Sequence, residues 1–184
     1  MTPEEHLLRW QALHGVEPSW LVRRWLHVVR WLSRPLRVPP WSVTVAAVAV
    51  TASALVVPLP VAAGLVLLAG LLDGIDGCVA VLQDKASDTG RRLDHGADRI
   101  GELVFGGLLW RAGVPWWLAV TAVVLMLAVE GLRRSPVVTV GERPVRVLFT
   151  AAALLVWPVV WAWGLVALSG VAVAQLVRRE RIVT

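Results

Sequence analysis

From Val38 to Leu72 the chain has no charged side chain. That run is longer than the roughly 20 apolar residues needed to cross a bilayer, and Pro58 and Pro60 divide it in two. A chain built around such a segment is expected to sit in a membrane. Composition agrees, with 57% hydrophobic and 17% charged residues, a balance unlike that of an ordinary soluble enzyme. The length of 184 residues suits one compact domain. The segment from Met1 to Gly15 carries Glu4, Glu5, His6 and Arg9 and does not read as a cleaved signal. Cys78 is the single cysteine, so no internal disulfide can form and sulfur says nothing of the compartment.

The net charge of +5 could indicate nucleic acid, but the arginines collect at the ends of apolar segments, as the positive-inside rule requires of a polytopic protein. Spans are expected at about 41–57, 61–82, 90–111, 115–132, 145–161 and 162–177. The last two could also form one kinked passage, since Pro158, Gly164 and Gly170 are the only breaks. With six spans and both termini in the cytoplasm, the inside receives Arg23 to Arg37, Lys85, Arg91, Arg92, Arg133, Arg134, Arg143, Arg146 and Arg178 to Arg181, and the outside only Arg111. Trp110, Trp116, Trp117, Trp157, Trp161 and Trp163 then fall near the outer turns, as an aromatic belt would. Five spans would put the C-terminal arginines outside.

Within residues 18–34, Leu21, Trp25, Val28 and Leu32 recur at helical spacing, with Arg23, Arg24, His27, Arg30 and Arg34 on the other face. Such a helix suits the headgroup layer of an anionic membrane, or packing on a soluble partner. The expected fold class is therefore all-α: an integral membrane bundle of about six transmembrane helices with an N-terminal amphipathic interfacial helix. Residues 1–37 form the interfacial region, 38–178 the transmembrane catalytic domain and 179–184 a cytoplasmic tail.

One stretch breaks the apolar pattern. Residues 84–102 read DKASDTGRRLDHGADRIGE, too polar for a lipid-facing helix, so they must face protein or a water-filled cavity. On helices, Asp73 and Asp76 share a face, as do Asp94 and Asp98. The short polar connection at 83–89 is expected to make the two helices antiparallel neighbours, bringing four carboxylates together. Ionised and unpaired they would be costly. Divalent cations are the natural remedy, and carboxylate-only ligation favours magnesium or manganese. Pairing of Asp94 or Asp98 with Arg91, Arg92 or Arg99, or a proton or ion pathway, would use the same acids. An EF-hand is excluded: Ala86 stands at the third position after Asp84, and Gly90 comes one place late. Gly70 and Gly74 form a small-x-x-x-small pair suited to close helix packing, while Gly77 and Gly90 leave bare backbone beside the acids.

This segment resembles the signature of the CDP-alcohol phosphatidyltransferases, D-x2-D-G-x2-A-R-x8-G-x3-D-x3-D. Asp73, Asp76, Gly77, Ala80, Gly90, Asp94 and Asp98 match with every gap preserved, seven of the eight fixed positions. Val81 stands where the family has an arginine expected to touch the CDP phosphates, with Lys85, Arg91 and Arg92 as nearby cations. In PPWSVT, Trp41 replaces the asparagine of the Pro-Asn-x-x-Thr found in many relatives.

The resemblance implies that an alcohol attacks the β-phosphorus of CDP-diacylglycerol or another CDP-alcohol and that CMP leaves. It implies two Mg2+ or Mn2+ ions held by Asp73, Asp76 and Asp94, with Asp98 completing the second site and serving as general base. Gly77, Ala80 and Gly90 would line the CDP moiety, and a homodimer is the family expectation. Arg143 and Arg146, between the fourth and fifth spans, either flank those spans as positive-inside charges or bind the phosphate of a phosphorylated acceptor. Glu102 and Glu130 could each partner a nearby arginine, His95 is expected to face away from the metals, and Cys78 to pack. A divergent relative that binds nucleotide or metal without turnover, and a cation or proton transporter, are the competing readings; nothing points to nucleic acid.

Overall fold

The structure is a computed structural model that describes residues 2–14, 20–85, 87–132 and 142–183. Among these residues every regular element is helical. In chain order they are α1 (Pro3–His14), α2 (Trp20–Ser33), α3 (Pro40–Ser53) with a 3-10 turn at Ala54–Val56, α4 (Leu59–Leu82), α5 (Asp88–Arg111), α6 (Trp116–Leu132), α7 (Arg143–Leu155) and α8 (Pro158–Val183). Prolines open several of them, at a position where the missing N–H costs nothing: Pro40 in α3, Pro60 in α4 and Pro144 in α7. Helix α4 and the Pro158–Arg178 part of α8 are long and apolar enough to cross a membrane, and Pro40–Val56 and Trp116–Leu132 are shorter apolar segments.

The elements fall close to the expected spans, with one displaced boundary. The chain breaks at Val156–Trp157, not between 161 and 162, and α8 runs on through Val183, taking in most of the expected tail. Pro158 disfavours helix in the residue before it, and Trp157 takes φ +48°, a left-handed conformation that costs a non-glycine residue roughly 1–2 kcal/mol. The turn reverses the chain. Phe149, eight residues before Trp157, lies edge-on to Trp161 with ring centroids 5.2 Å apart and against Gly164, where a β-carbon would sit 2.7 Å from its ring. Helices α7 and α8 thus form a hairpin.

The main core occupies the half of the bundle away from the aspartates. Val66, Leu108, Leu109, Leu118, Met126, Leu154 and Leu165 are buried there. Arg111 closes that end by donating to the carbonyls of Ala54 (3.0 Å), Leu55 (2.9 Å) and Val57. The other half is more polar and has a smaller core of Val29, Val43, Ile75, Cys78 and Val79; the packing expected of Cys78 is what the structure shows.

Helix α2 packs on α4 through part of the stripe its periodicity suggested, Trp25 and Leu32, while Val28 of that stripe is turned outward. Leu26, Val29, Arg30 and Ser33 are buried, whereas Val28 and Trp31 are exposed. Trp25 lies over Gly74, where an added β-carbon would come within 3.1 Å of the indole, and Gly70 admits Val147 of α7 at 2.9 Å. Both glycines of the small-residue pair therefore serve close packing.

Candidate metal and phosphotransfer site

Helices α4 and α5 are joined by the short connection at 83–87, yet they share almost no backbone contact. The two helices are neighbours through their acids and not through backbone packing. Each rests on α3 and on α7, so the two acid-bearing helices face one another across a gap. At an effective dielectric of about 20, two carboxylate charges some 5 Å apart repel by about 3 kcal/mol, so acids brought this close call for a neutralising cation.

Across that gap Asp73 and Asp76 of α4 meet Asp94 of α5, each offering an oxygen within 4.8 Å of the others. Asp76 is buried, 5% exposed, and accepts a 2.6 Å hydrogen bond from the hydroxyl of Thr44 on α3. Asp98, one turn further along α5, is not in this trio. Its oxygen lies instead within 4.8 Å of Glu130 on α6 and of a ring nitrogen of His95. His95 therefore faces the acids, against expectation, although its side chain is exposed.

Arg143, the first residue of α7, joins the two groups. Its guanidinium pairs with Asp73 at 2.8 Å and with Asp98, and it lies 3.4 Å from where a β-carbon on Gly101 would be. Arg146 is placed differently. It is 1% exposed and pairs with both Glu102 and Glu130, with a further long bond to the Met126 carbonyl at 3.4 Å. The expectation that Arg146 meets an acceptor phosphate is corrected by this burial: both terminal nitrogens of its guanidinium engage glutamates, the partners suspected for them from the sequence.

The remaining expected site residues are distributed around the gap. A β-carbon on Gly77 would meet nothing within 4 Å, and one on Gly90 only the Ser87 hydroxyl at 3.2 Å. That hydroxyl caps α5 by accepting from the Gly90 N–H at 3.1 Å. Ala80 is half-buried on α4. Of the cations near Val81, Arg91 and Arg92 are exposed at the start of α5, while Lys85 lines a cleft shared with α2. Arg133 and Arg134 lie outside the described residues.

Sequence reasoning missed two parts of this site. Thr44 closes the PPWSVT segment and occupies the threonine of Pro-Asn-x-x-Thr, a signal that was available. The contacts of Arg143 with acids 70 and 45 positions earlier in the chain left no trace in spacing.

A trio of carboxylates alone, one of them buried and oriented by a hydroxyl, fits a hard divalent cation and suits neither a soft metal nor a thiolate site. Fold and site together define a helical membrane protein with a cluster of carboxylates between two helices that could hold a cation. Residues 37–178 match the family model described as CDP-alcohol phosphatidyltransferase, and the chain belongs to that family. No individual curated protein matches it. The family consists of phosphotransferases of phospholipid synthesis, which use CDP-alcohols and alcohol acceptors and generally depend on divalent metal. Family and apolar helices together make this an integral membrane protein.

Proposed function

We propose that the protein transfers a phosphatidyl or related phospho-alcohol group from a CDP-linked lipid, such as CDP-diacylglycerol, to an alcohol and releases CMP. The observation that carries this reading is the meeting of Asp73 and Asp76 of α4 with Asp94 of α5. These three residues, with Asp98 at the second position, would hold two Mg2+ or Mn2+ ions. Ions bound there neutralise the pyrophosphate and stabilise the departing CMP oxygen.

The chain's own groups supply the rest. Asp98 takes the proton of the incoming hydroxyl, whose oxygen then attacks the β-phosphorus as the bond to CMP breaks. Gly77, Ala80 and Gly90 line the CDP moiety; the open space at Gly77 supports this. Arg143 receives the phosphate of a phosphorylated acceptor, a role its half-buried guanidinium beside Asp98 favours. Holding the reactants in line and neutralising their charge accounts for most of phosphoryl-transfer catalysis.

In the membrane, α3 to α8 make six spans, with both termini and the acid site at the cytoplasmic face. Helix α2 lies in the headgroup layer, as the outward Val28 and Trp31 support, and the protein pairs as a homodimer in the manner of its family.

The test is CMP release from CDP-diacylglycerol with magnesium across a panel of alcohol acceptors. Release with one acceptor identifies both reaction and substrate. Silence with every acceptor while metal and nucleotide still bind would replace this reading by a non-catalytic relative, for which Val81 is the motivating residue. Ion flux without CMP release would make it a transporter.

A further inference from the structure

A second polar cleft, about 520 Å³ in volume, opens where the end of α2 meets the end of α4. Arg34, Arg37 and Lys85 converge on it, beside an apolar wall of Leu36, Val79 and Leu82. None of Asp73, Asp76, Asp94 and Asp98 lines this cleft, and at 100° per residue Leu82 projects opposite Asp73 on α4. Val79 also belongs to the packed cluster with Val43, Ile75 and Cys78.

Three features distinguish the cleft from a simple flank of positive charges. Its frame is fixed, because the Gln83 side-chain amide donates to the carbonyls of Leu36 (3.3 Å) and Val38 (3.0 Å), and the Ser33 hydroxyl to that of Val29 (2.7 Å). The cations are not needed to cap the helix ends, since backbone N–H groups already serve them: Arg34 N–H to Arg30, Leu36 N–H to Ser33, Gln83 N–H to Val79 and Lys85 N–H to Ala80. Nor are they neutralised. Among the described residues no carboxylate pairs with Arg34, Arg37 or Lys85, and neighbouring Asp84 is engaged by Arg9 of α1 at 3.1 Å.

We propose that this cleft binds a phosphate-bearing anion, separately from the reaction at the aspartates. Two guanidinium forks and an ammonium group around one opening match the oxygens of a phosphate. The apolar wall suits the glycerol or first methylenes of a lipid headgroup; a soluble phosphate would use the cations alone. Orienting α2 through an anionic lipid is the consequence, since Arg34 and Arg37 directly follow it.

The experiment uses the full chain in phosphatidylcholine nanodiscs and a fluorescent phosphatidylglycerol as probe, with quenching by the protein's tryptophans as readout. Arg34→Ala/Arg37→Ala is expected to weaken the interaction by at least about tenfold, the loss of charge-assisted hydrogen bonds. Arg23→Ala/Arg24→Ala, an equal loss of charge on exposed positions of α2, should leave it within about twofold. Lys85→Glu, a single exposed change, should match the first pair. Displacement of the probe by millimolar inorganic phosphate would assign the cleft to soluble phosphates, and its resistance to that competitor would assign it to lipid. Equal losses from the two arginine pairs, or an unaffected Lys85→Glu, would overturn the proposal.

Discussion

Asp76 is the most enclosed of the four aspartates, and among the described residues Thr44 is the one hydroxyl that donates to it. Removing that donor strands a buried carboxylate oxygen, a loss of the order of 1–3 kcal/mol. Thr44→Val is therefore expected to raise the magnesium concentration for half-maximal CMP release by about tenfold, while Thr44→Ser stays near the parent; identical magnesium titrations for Val and Ser would remove Thr44 from the site. Asp98→Asn keeps the shape of the side chain but cannot accept the proton. It should abolish CMP release while magnesium still raises the melting temperature, and measurable turnover in that variant would strip Asp98 of its role as base. The four aspartates were legible because helical spacing encodes which residues share a face. Arg143 and Arg146 were not separable, because both look like cations flanking a span. Only the packing of α7 sends the first to the aspartates at the gap and buries the second.

That burial makes Arg146 a tie between elements. Its guanidinium on α7 reaches Glu102 on α5 and Glu130 on α6, so three helices share one buried charge cluster beside the site. Taking away the cation leaves two carboxylates unpaired, and such a loss costs roughly 3–5 kcal/mol. Arg146→Met should lower the melting temperature sharply, and adding Glu102→Gln and Glu130→Gln in the same chain should recover much of it, because the charges then vanish together. Arg143→Ala should behave oppositely, with nearly unchanged melting and a raised requirement for a phosphorylated acceptor. If the two arginine variants melt alike, the division of labour between them is wrong. Helix boundaries were readable from Pro58, Pro60 and the polar connections, since proline punctuates helices by its own covalent chemistry. The buried face of α2 was not. Its apolar stripe marks Trp25, Val28 and Leu32 alike, but Trp25 lies over Gly74 and Leu32 packs on the bundle while Val28 stays exposed, and a periodicity carries no information about the partner's surface.

At the scale of the whole molecule, the sequence discloses a helical membrane bundle through its uncharged run, but not which helices touch. A short connection made α4 and α5 neighbours, and three of their acids do meet; what it did not disclose is that the two helices rest on α3 and α7 and hardly on each other. Orientation follows from charge in the same way, because moving arginines across a bilayer is costly. With six spans, Lys85 and Arg178 lie on the cytoplasmic side, and Trp116 and Val156 outside. All four are exposed on the bundle surface. In a Cys78→Ala background, single cysteines at Trp116 and Val156 should react with a membrane-impermeant maleimide added to intact cells. Cysteines at Lys85 and Arg178 should react only after the membrane is opened. Labelling of the Arg178 position in intact cells would place the end of α8 outside and force an odd number of spans between it and Lys85. Since α7 and α8 form a hairpin closed at Trp157, that result would require α7 to stop short of crossing, taking Arg143 and the acid site with it to a different depth in the membrane.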